Sequence, residues 1–222
     1  MRFIGDVHGK WLTYRNQIHN PRYGCTQSIQ VGDFGMGYRQ SLGFIKDTIK
    51  DMRRDGHSHR FIRGNHDSPQ ECSKNPQWIK DGTIEGDMMF VGGAHSIDRD
   101  FQTFQGTWWE DEELSYDQCG DMMDVYNKHL PKIMVTHDGP DQVMRYFFKF
   151  YQNPNESITR QLFESMFSHH QPKLWVFGHW HEPRDEVIMG TRFVCLPELA
   201  YIDVDLNDPQ NTGKIVLYQH QV

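Results

Sequence analysis

The sequence predicts a single α/β domain, residues 1–222, built on mixed β-sheet. Three observations carry that prediction. Short apolar runs that end in a polar or glycine turn recur along the chain, segments with helical spacing lie between them, and the C-terminal tail reads as strands separated by Pro and Asn turns.

The apolar runs are Arg2 to Gly5, Ser28 to Gly32, Arg60 to Gly64, Met88 to Gly92, Lys132 to Thr136 and Leu174 to Gly178, and they read as buried strands. The helical segments are Trp11 to His19, Leu42 to Arg54, Asp111 to His129 and Ile158 to Ser168. In the tail, Thr191 to Leu196, Tyr201 to Leu206 and Lys214 to Tyr218 are expected to be consecutive antiparallel strands. The least regular region, Ser96 to Gly120, carries Trp108, Trp109 and the acidic run Glu110 to Glu113. It reads either as an exposed aromatic turn before the acidic start of a helix or as a substrate-covering loop. Tyr146 to Phe148, Phe150 and Tyr151 form an aromatic stripe expected to pack as core.

A chain of 222 residues with 37% apolar side chains is long enough to bury one sizeable core. Its formal charge of -7 argues against a broad basic surface, so small phosphorylated molecules or nucleotides are favoured as partners over stable nucleic-acid complexes. Four dispersed cysteines with no CxxC pair fit a reducing cytoplasm, and no apolar stretch is long enough for a membrane.

The chemistry collects just beyond the strand candidates. The turns read Gly5-Asp6-Val7-His8-Gly9, Gly32-Asp33-Phe34-Gly35, Gly64-Asn65-His66-Asp67, Thr136-His137-Asp138-Gly139-Pro140 and Gly178-His179-Trp180-His181. In α/β sheets ligands bind outside the carboxyl ends of the strands, so these turns can converge although they are far apart in sequence. Glycine permits the tight turns. A set of Asp6, His8, Asp33, Asn65, His137, His179 and His181 mixes carboxylates, imidazoles and an amide oxygen. That mixture suits Mn, Fe, Zn, Co or Ni better than an all-oxygen Mg or Ca cage, and seven ligands are naturally shared by two ions with one bridging carboxylate. Each motif alone is common, and His-x-His on a strand would put both imidazoles on one face through the period of two. The ordered set is the specific signal.

That ordered set, spanning Gly5 to His181, resembles the calcineurin-like metallophosphoesterase superfamily, and Val91 to Arg99 with Trp108-Trp109 resembles its compact bacterial and phage members. The resemblance implies a four-layer αββα sandwich with two mixed sheets and a dinuclear metal site, with Mn foremost as the ion. One metal would be held by Asp6, His8, Asp33 and His181, the other by Asp33, Asn65, His137 and His179. His66 would stand beside them as general acid, and Asp67 would orient or tune it. The implied reaction is hydrolysis of phosphomonoesters or small phosphodiesters by attack of a metal-bound hydroxide.

The branch within the superfamily is divided. GDVHG and Phe61 to His66 are similar to serine/threonine protein phosphatases, whereas Asp67 and Gly178-His179-Trp180-His181 are similar to phosphodiesterases and repair nucleases. The Asp-Arg-Gly that supplies a phosphatase's dianion-gripping arginine is replaced by Asp33-Phe34-Gly35-Met36-Gly37-Tyr38-Arg39. Arg39 or Arg63 would have to bind substrate in its stead, or else be surface or salt-bridge residues. His95 is a further candidate to line the pocket. An Mn-dependent nuclease, with Trp108 and Trp109 stacking bases, is the other reading. The remaining histidines, among them His19, His57 and His59, are read as ordinary helix and turn residues.

Overall fold

The computed structural model describes residues 1–20, 22, 24–38, 42–97, 99–149 and 157–218. The apolar runs become strands because both their faces are covered. In chain order the first half comprises β1 (Arg2–Ile4), α1 (Trp11–His19), β2 (Gln27–Gln30), α2 (Leu42–Met52), β3 (Ser58–Phe61), α3 (Pro69–Ser73), β4 (Thr83–Glu85), β5 (Met88–Val91) and α4 (Arg99–Gln105). The second half comprises α5 (Tyr116–His129), β6 (Ile133–Thr136), α6 (Asp141–Phe147), α7 (Ile158–His169), β7 (Leu174–Phe177), β8 (Arg184–Ile188), β9 (Thr191–Cys195) and β10 (Tyr201–Asp203).

Two mixed sheets result. One has the order β10-β1-β2-β3 and the other β4-β5-β6-β7-β9-β8. Alternation along each strand sorts the core into three slabs. Phe3, Ile29, Ile62, Phe90, Val135, Val176, Val194 and Ile202 fill the space between the sheets. Met89, Met134, Trp175, Phe177 and Phe193 point the other way, onto Tyr126, Phe147, Phe163 and Phe167 of α5 to α7. Ile4 and Phe61 meet Trp11, Tyr14, Ile18 and Met52 of α1 and α2 on the opposite outer face. The fold is therefore the four-layer αββα sandwich, and the carboxyl ends of the parallel strands β1, β2, β3, β6 and β7 carry the motif turns.

The tail departs from the sequence reading. Its strands are not consecutive antiparallel partners: β9 runs parallel to β7 in the larger sheet, and β10 runs antiparallel to β1 in the smaller one. Segment Lys214 to Tyr218 contributes only the isolated bridge Tyr201–Val216. The hairpin partner of β9 is β8, whose charged, largely exposed Arg184–Ile188 lacks an apolar signal, joined through Met189 and Gly190 at φ 50° and 85°. Helix α5 starts at Tyr116, where Ser115 and Gln118 form a reciprocal capping box. The acidic run before it serves other partners: Glu113 accepts from Ser157 Oγ and Thr159 N at the start of α7. Phe147 and Phe148 are buried and Tyr146 is exposed, while Phe150 and Tyr151 lie outside the described residues. No helix among the described residues is long and apolar enough to cross a membrane.

Candidate metal centre

Asp6, just past β1, is fully buried and accepts the backbone N–H of His179 at 3.1 and 3.2 Å from its two oxygens. Its Oδ2 lies 2.9 Å from His181 Nε2 and 3.8 Å from His8 Nε2. Asp33, just past β2, stands between two groups of imidazoles. Its Oδ2 is 3.8 Å from His8 Nε2 and its Oδ1 is 3.3 Å from His137 Nε2. Asn65 Oδ1 faces His137 Nε2 at 3.0 Å and His179 Nδ1 at 3.1 Å.

The donor set fits divalent cations. His137 Nδ1 donates to Val31 O at 2.8 Å, so Nε2 is the nitrogen directed at the oxygens of Asn65 and Asp33. His8 and His181 bring two Nε2 atoms to 2.9 Å from each other. Facing lone pairs of this kind repel unless a proton or cation lies between them. His179 Nε2 is shielded from solvent with no partner. The groups Asp6–His8–His181 and Asp33–His137–His179 each bring three donor atoms within 4.8 Å of one another.

The electrostatics agree. Burial alone would push the Asp33 carboxyl up, but His137, His66 and His8 around it hold it well below the usual carboxylate range. Burial works against a charged His137, yet Asp33 and Asp6 raise it to about 10, so the carboxylates draw positive charge, a proton or a cation in its place, to Nε2. His179, buried beside His137, is pushed well below the ordinary imidazole value and so keeps a lone pair available.

Local backbone serves the same end. His8, Asp33, His179 and His181 have φ of 46°, 57°, 68° and 55°, a left-handed conformation that side chains other than glycine rarely adopt. His179 and His181 are thus aimed by a turn beyond β7, not by the pleat of a strand. Trp180 between them is pinned by Nε1 donating 2.8 Å to Asp138 Oδ1 and by stacking on Phe148 at 4.4 Å. Gly64 and Gly178 cannot carry a side chain: a Cβ would come within 2.0 Å of Asp33 Oδ1 and 2.1 Å of Asp6 Oδ1.

Residues 2–183 match the sequence profile described as calcineurin-like phosphoesterase. The chain belongs to the calcineurin-like phosphoesterase family. Among solved structures, its fold is similar to a Staphylococcus aureus protein provisionally assigned as a 5′-nucleotidase, with a TM-score of 0.56 at 12% identity. That alignment covers 97% of this chain and 53% of the other, so this chain spans about half the length of that protein. A phosphopantetheinyl hydrolase from Mycobacterium tuberculosis aligns with a TM-score of 0.49 at 15% identity, over 100% of this chain and 96% of the other. An archaeal phosphodiesterase aligns with a TM-score of 0.44 at 14% identity, over 97% and 100%. No curated protein sequence matches.

In this calcineurin-like phosphoesterase the residues around the ligand set take roles that the sequence left open. His66 lies at the mouth of the centre, its Nε2 3.8 Å from Asp33 Oδ2, its ring 5.4 Å from that of His8, and its backbone N–H on Asp33 Oδ1 at 2.9 Å. Asp67 does not orient the His66 ring. Its carboxylate is fully buried and accepts four backbone N–H groups, from Gly35 and Met36 at 2.7 Å, Gly64 at 2.9 Å and Phe34 at 3.0 Å. It thereby clips the Asp33 turn to the Asn65 turn.

Arg63 is not free to bind a phosphate. It is 3% exposed, pairs with Asp81 at 2.9 Å, and donates to the carbonyls of Asp111 and Glu112 at 3.2 and 2.7 Å. Arg39 lies outside the described residues. His95 Nδ1 is 3.5 Å from Glu113, and its ring helps line a cavity of about 380 Å³ whose wall includes Glu110, Asp111, Glu112 and Glu113. A phosphate there would meet carboxylates, so His95 is poorly placed to bind one.

Two positioning residues escaped the sequence reading. Asn65 Nδ2 donates to Ser96 Oγ at 2.9 Å, and Glu112 accepts from Ser96 Oγ and N at 2.5 and 2.9 Å. This buried relay fixes the Asn65 amide with its oxygen toward His137 and His179. Trp109 closes one side, its Nε1 donating to His66 O at 3.2 Å and its ring against Gly37. Beyond it a cleft of about 560 Å³ runs between Met36–Tyr38, Ile45, Ile49 and Ser68–Glu71.

Proposed function

We propose that this chain is a dinuclear metal-dependent phosphoesterase acting on small phosphodiesters and, less well, on phosphomonoesters. The observation that carries the proposal is Asp33. A single buried carboxylate directs one oxygen to His8 and the other to His137, which is the disposition of a bridge between two cation sites. In that arrangement Asp6, His8 and His181 complete one site, and Asn65, His137 and His179 the other. Two divalent ions held there would supply Lewis acidity toward phosphoryl oxygens and a water acidified enough to attack at neutral pH. Mn is the proposed ion, since the mixed imidazole and oxygen donors suit a transition metal.

The chain's own contribution is placement and a proton. His66 stands at the rim with its Nδ1 shielded and without a partner. It is placed to hold a phosphoryl oxygen or to donate a proton to the departing alkoxide. Diesters are favoured because a monoester dianion calls for an arginine clamp, and Arg63 is engaged with Asp81 and two carbonyls. The cleft beside Trp109 offers room for the organic part of the substrate.

The test is a comparison of bis-p-nitrophenyl phosphate with p-nitrophenyl phosphate on Mn-loaded protein. The diester is expected to be preferred by about tenfold in kcat/KM. In His66→Ala, hydrolysis is expected to fall by about a hundredfold to ten thousandfold, with a larger loss for alkyl than for nitrophenyl leaving groups. Equal losses for good and poor leaving groups would remove the acid role.

A further inference from the structure

The histidines that the sequence reading treated as ordinary include three that the fold gathers. His19 ends α1, His57 lies in the turn before β3, and His59 is the second residue of β3. One donor nitrogen from each lies within 4.8 Å of the others. The ring centroids of the three pairs are 5.3, 5.8 and 5.3 Å apart. The trio sits at the amino end of β3, an edge strand, whereas Asn65 follows its carboxyl end. We propose that His19, His57 and His59 form a separate site for one divalent transition-metal ion of the zinc class, tying the end of α1 to the edge of the smaller sheet.

Three features point to a ligand rather than to hydrogen-bonded imidazoles alone. His57 Nδ1 and His59 Nε2 face each other at 3.1 Å. Tetrahedral coordination with Zn–N of about 2.0–2.1 Å brings ligand nitrogens to roughly this separation. Second, His59 Nδ1 is hydrogen-bonded to Ser28 Oγ at 2.8 Å, and with Nδ1 as the donor Nε2 presents an inward lone pair. An outer hydrogen bond that fixes the tautomer is the usual support of a metal-binding histidine. Third, both ring nitrogens of His19 are shielded from solvent, and a backbone hydrogen bond at Asp51 can engage only one of them. Leaving a buried polar atom unpaired is costly, and a cation shared with His57 and His59 would engage the remaining nitrogen.

The surroundings keep His19 and His59 neutral, as metal ligation requires. Burial lowers His59 to about 3, with His57, His19 and Arg2 adding to the effect. Burial also lowers His19, against the pull of Asp51. The nearby charges are largely answered: Arg2 forms a two-pronged pair with Asp203, and Asp51 pairs with Arg15. Three imidazoles with no carboxylate favour Zn, Cu or Ni over Mn or Mg. A solvent water would take the fourth place, since His57 is only half-buried.

The experiment compares wild type, His57→Ala and His19→Gln after chelator stripping and reconstitution with Zn alone, followed by gel filtration and elemental analysis. Wild type is expected to retain one more equivalent of Zn than either variant. A second measurement uses Asp33→Asn protein, in which the paired catalytic site is disabled. Co(II) should still give one equivalent of tetrahedral visible absorption and raise Tm, and both effects should vanish when His57→Ala is added. His57→Ala alone should retain hydrolysis of the diester. Equal Zn retention in wild type and both variants, or a Co(II) spectrum in the Asp33→Asn protein that is indifferent to His57, would overturn the proposal.

Discussion

Two histidine clusters, one at the amino end of the smaller sheet and one where the carboxyl ends of both sheets' strands meet, differ in how they are built. At the carboxyl end, imidazoles are interleaved with Asp6, Asp33 and the Asn65 amide, and four of the residues are held in left-handed backbone. At the amino end, His19, His57 and His59 meet with no carboxylate in the group, and none of them has a positive φ. On the proposals above, the difference separates a site that would place charge from one that would join elements. Carboxylates lower the cost of gathering two dications and polarise what lies between them. Neutral imidazoles would hold one borderline ion of the zinc class, and here they leave the backbone regular.

The largest effect expected from breaking this contrast is at Asp33. Asp33→Asn should lower diester hydrolysis by about a thousandfold or more, while leaving the amino-end trio able to bind Co(II). Next is Asp67→Ala, which strands four buried backbone N–H groups. A loss of about 3–5 kcal/mol in urea unfolding is expected, a loss that a role confined to tuning His66 would not produce. Glu112→Gln should act more gently, weakening Mn affinity at the carboxyl end by about ten- to a hundredfold through the Ser96–Asn65 relay. Metal titration of that variant should leave the amino-end site unchanged.

The smallest effect concerns pH. Burial would raise Glu113, but its hydrogen bonds from His95, Ser157 and Thr159 win and lower it below the usual glutamate value. Its contribution is therefore complete above about pH 4.5 and disappears as pH falls through the lowered folded value. Glu113→Gln should cost about 1 kcal/mol at neutral pH and nothing in strong acid, as read by thermal melts across that range.

The convergence of Asp6, Asp33, Asn65, His137 and His179 was legible because each stands just past a buried apolar run, four of them directly after a glycine and His137 after Thr136. The buried strands were legible for the same reason: Leu174–Phe177 is covered on both faces and so carries an unbroken apolar signal. Strand β8 was not, since Arg184–Ile188 is an exposed edge whose partner lies across a tight hairpin. The tail strands could be seen but not their sheets, because local pattern says nothing of which of two sheets a strand joins. Arg63 and Asp67 were read as chemistry since they flank Asn65 and His66. Their partners, Asp81 in one case and the Phe34–Met36 amides in the other, are contacts that only folding creates. The His19–His57–His59 trio was hidden for the same reason, with 38 positions separating His19 from His57 and no motif marking either.

The left-handed residues have one more consequence. At His8, Asp33, His179 and His181 glycine would relieve roughly 1 kcal/mol of backbone strain each, and it would abolish the ligand. Mutational drift toward greater robustness therefore runs toward inactivity at these positions. A descendant released from selection for hydrolysis would discard its ligands early and keep its sandwich intact, so the architecture should outlive the chemistry in this lineage.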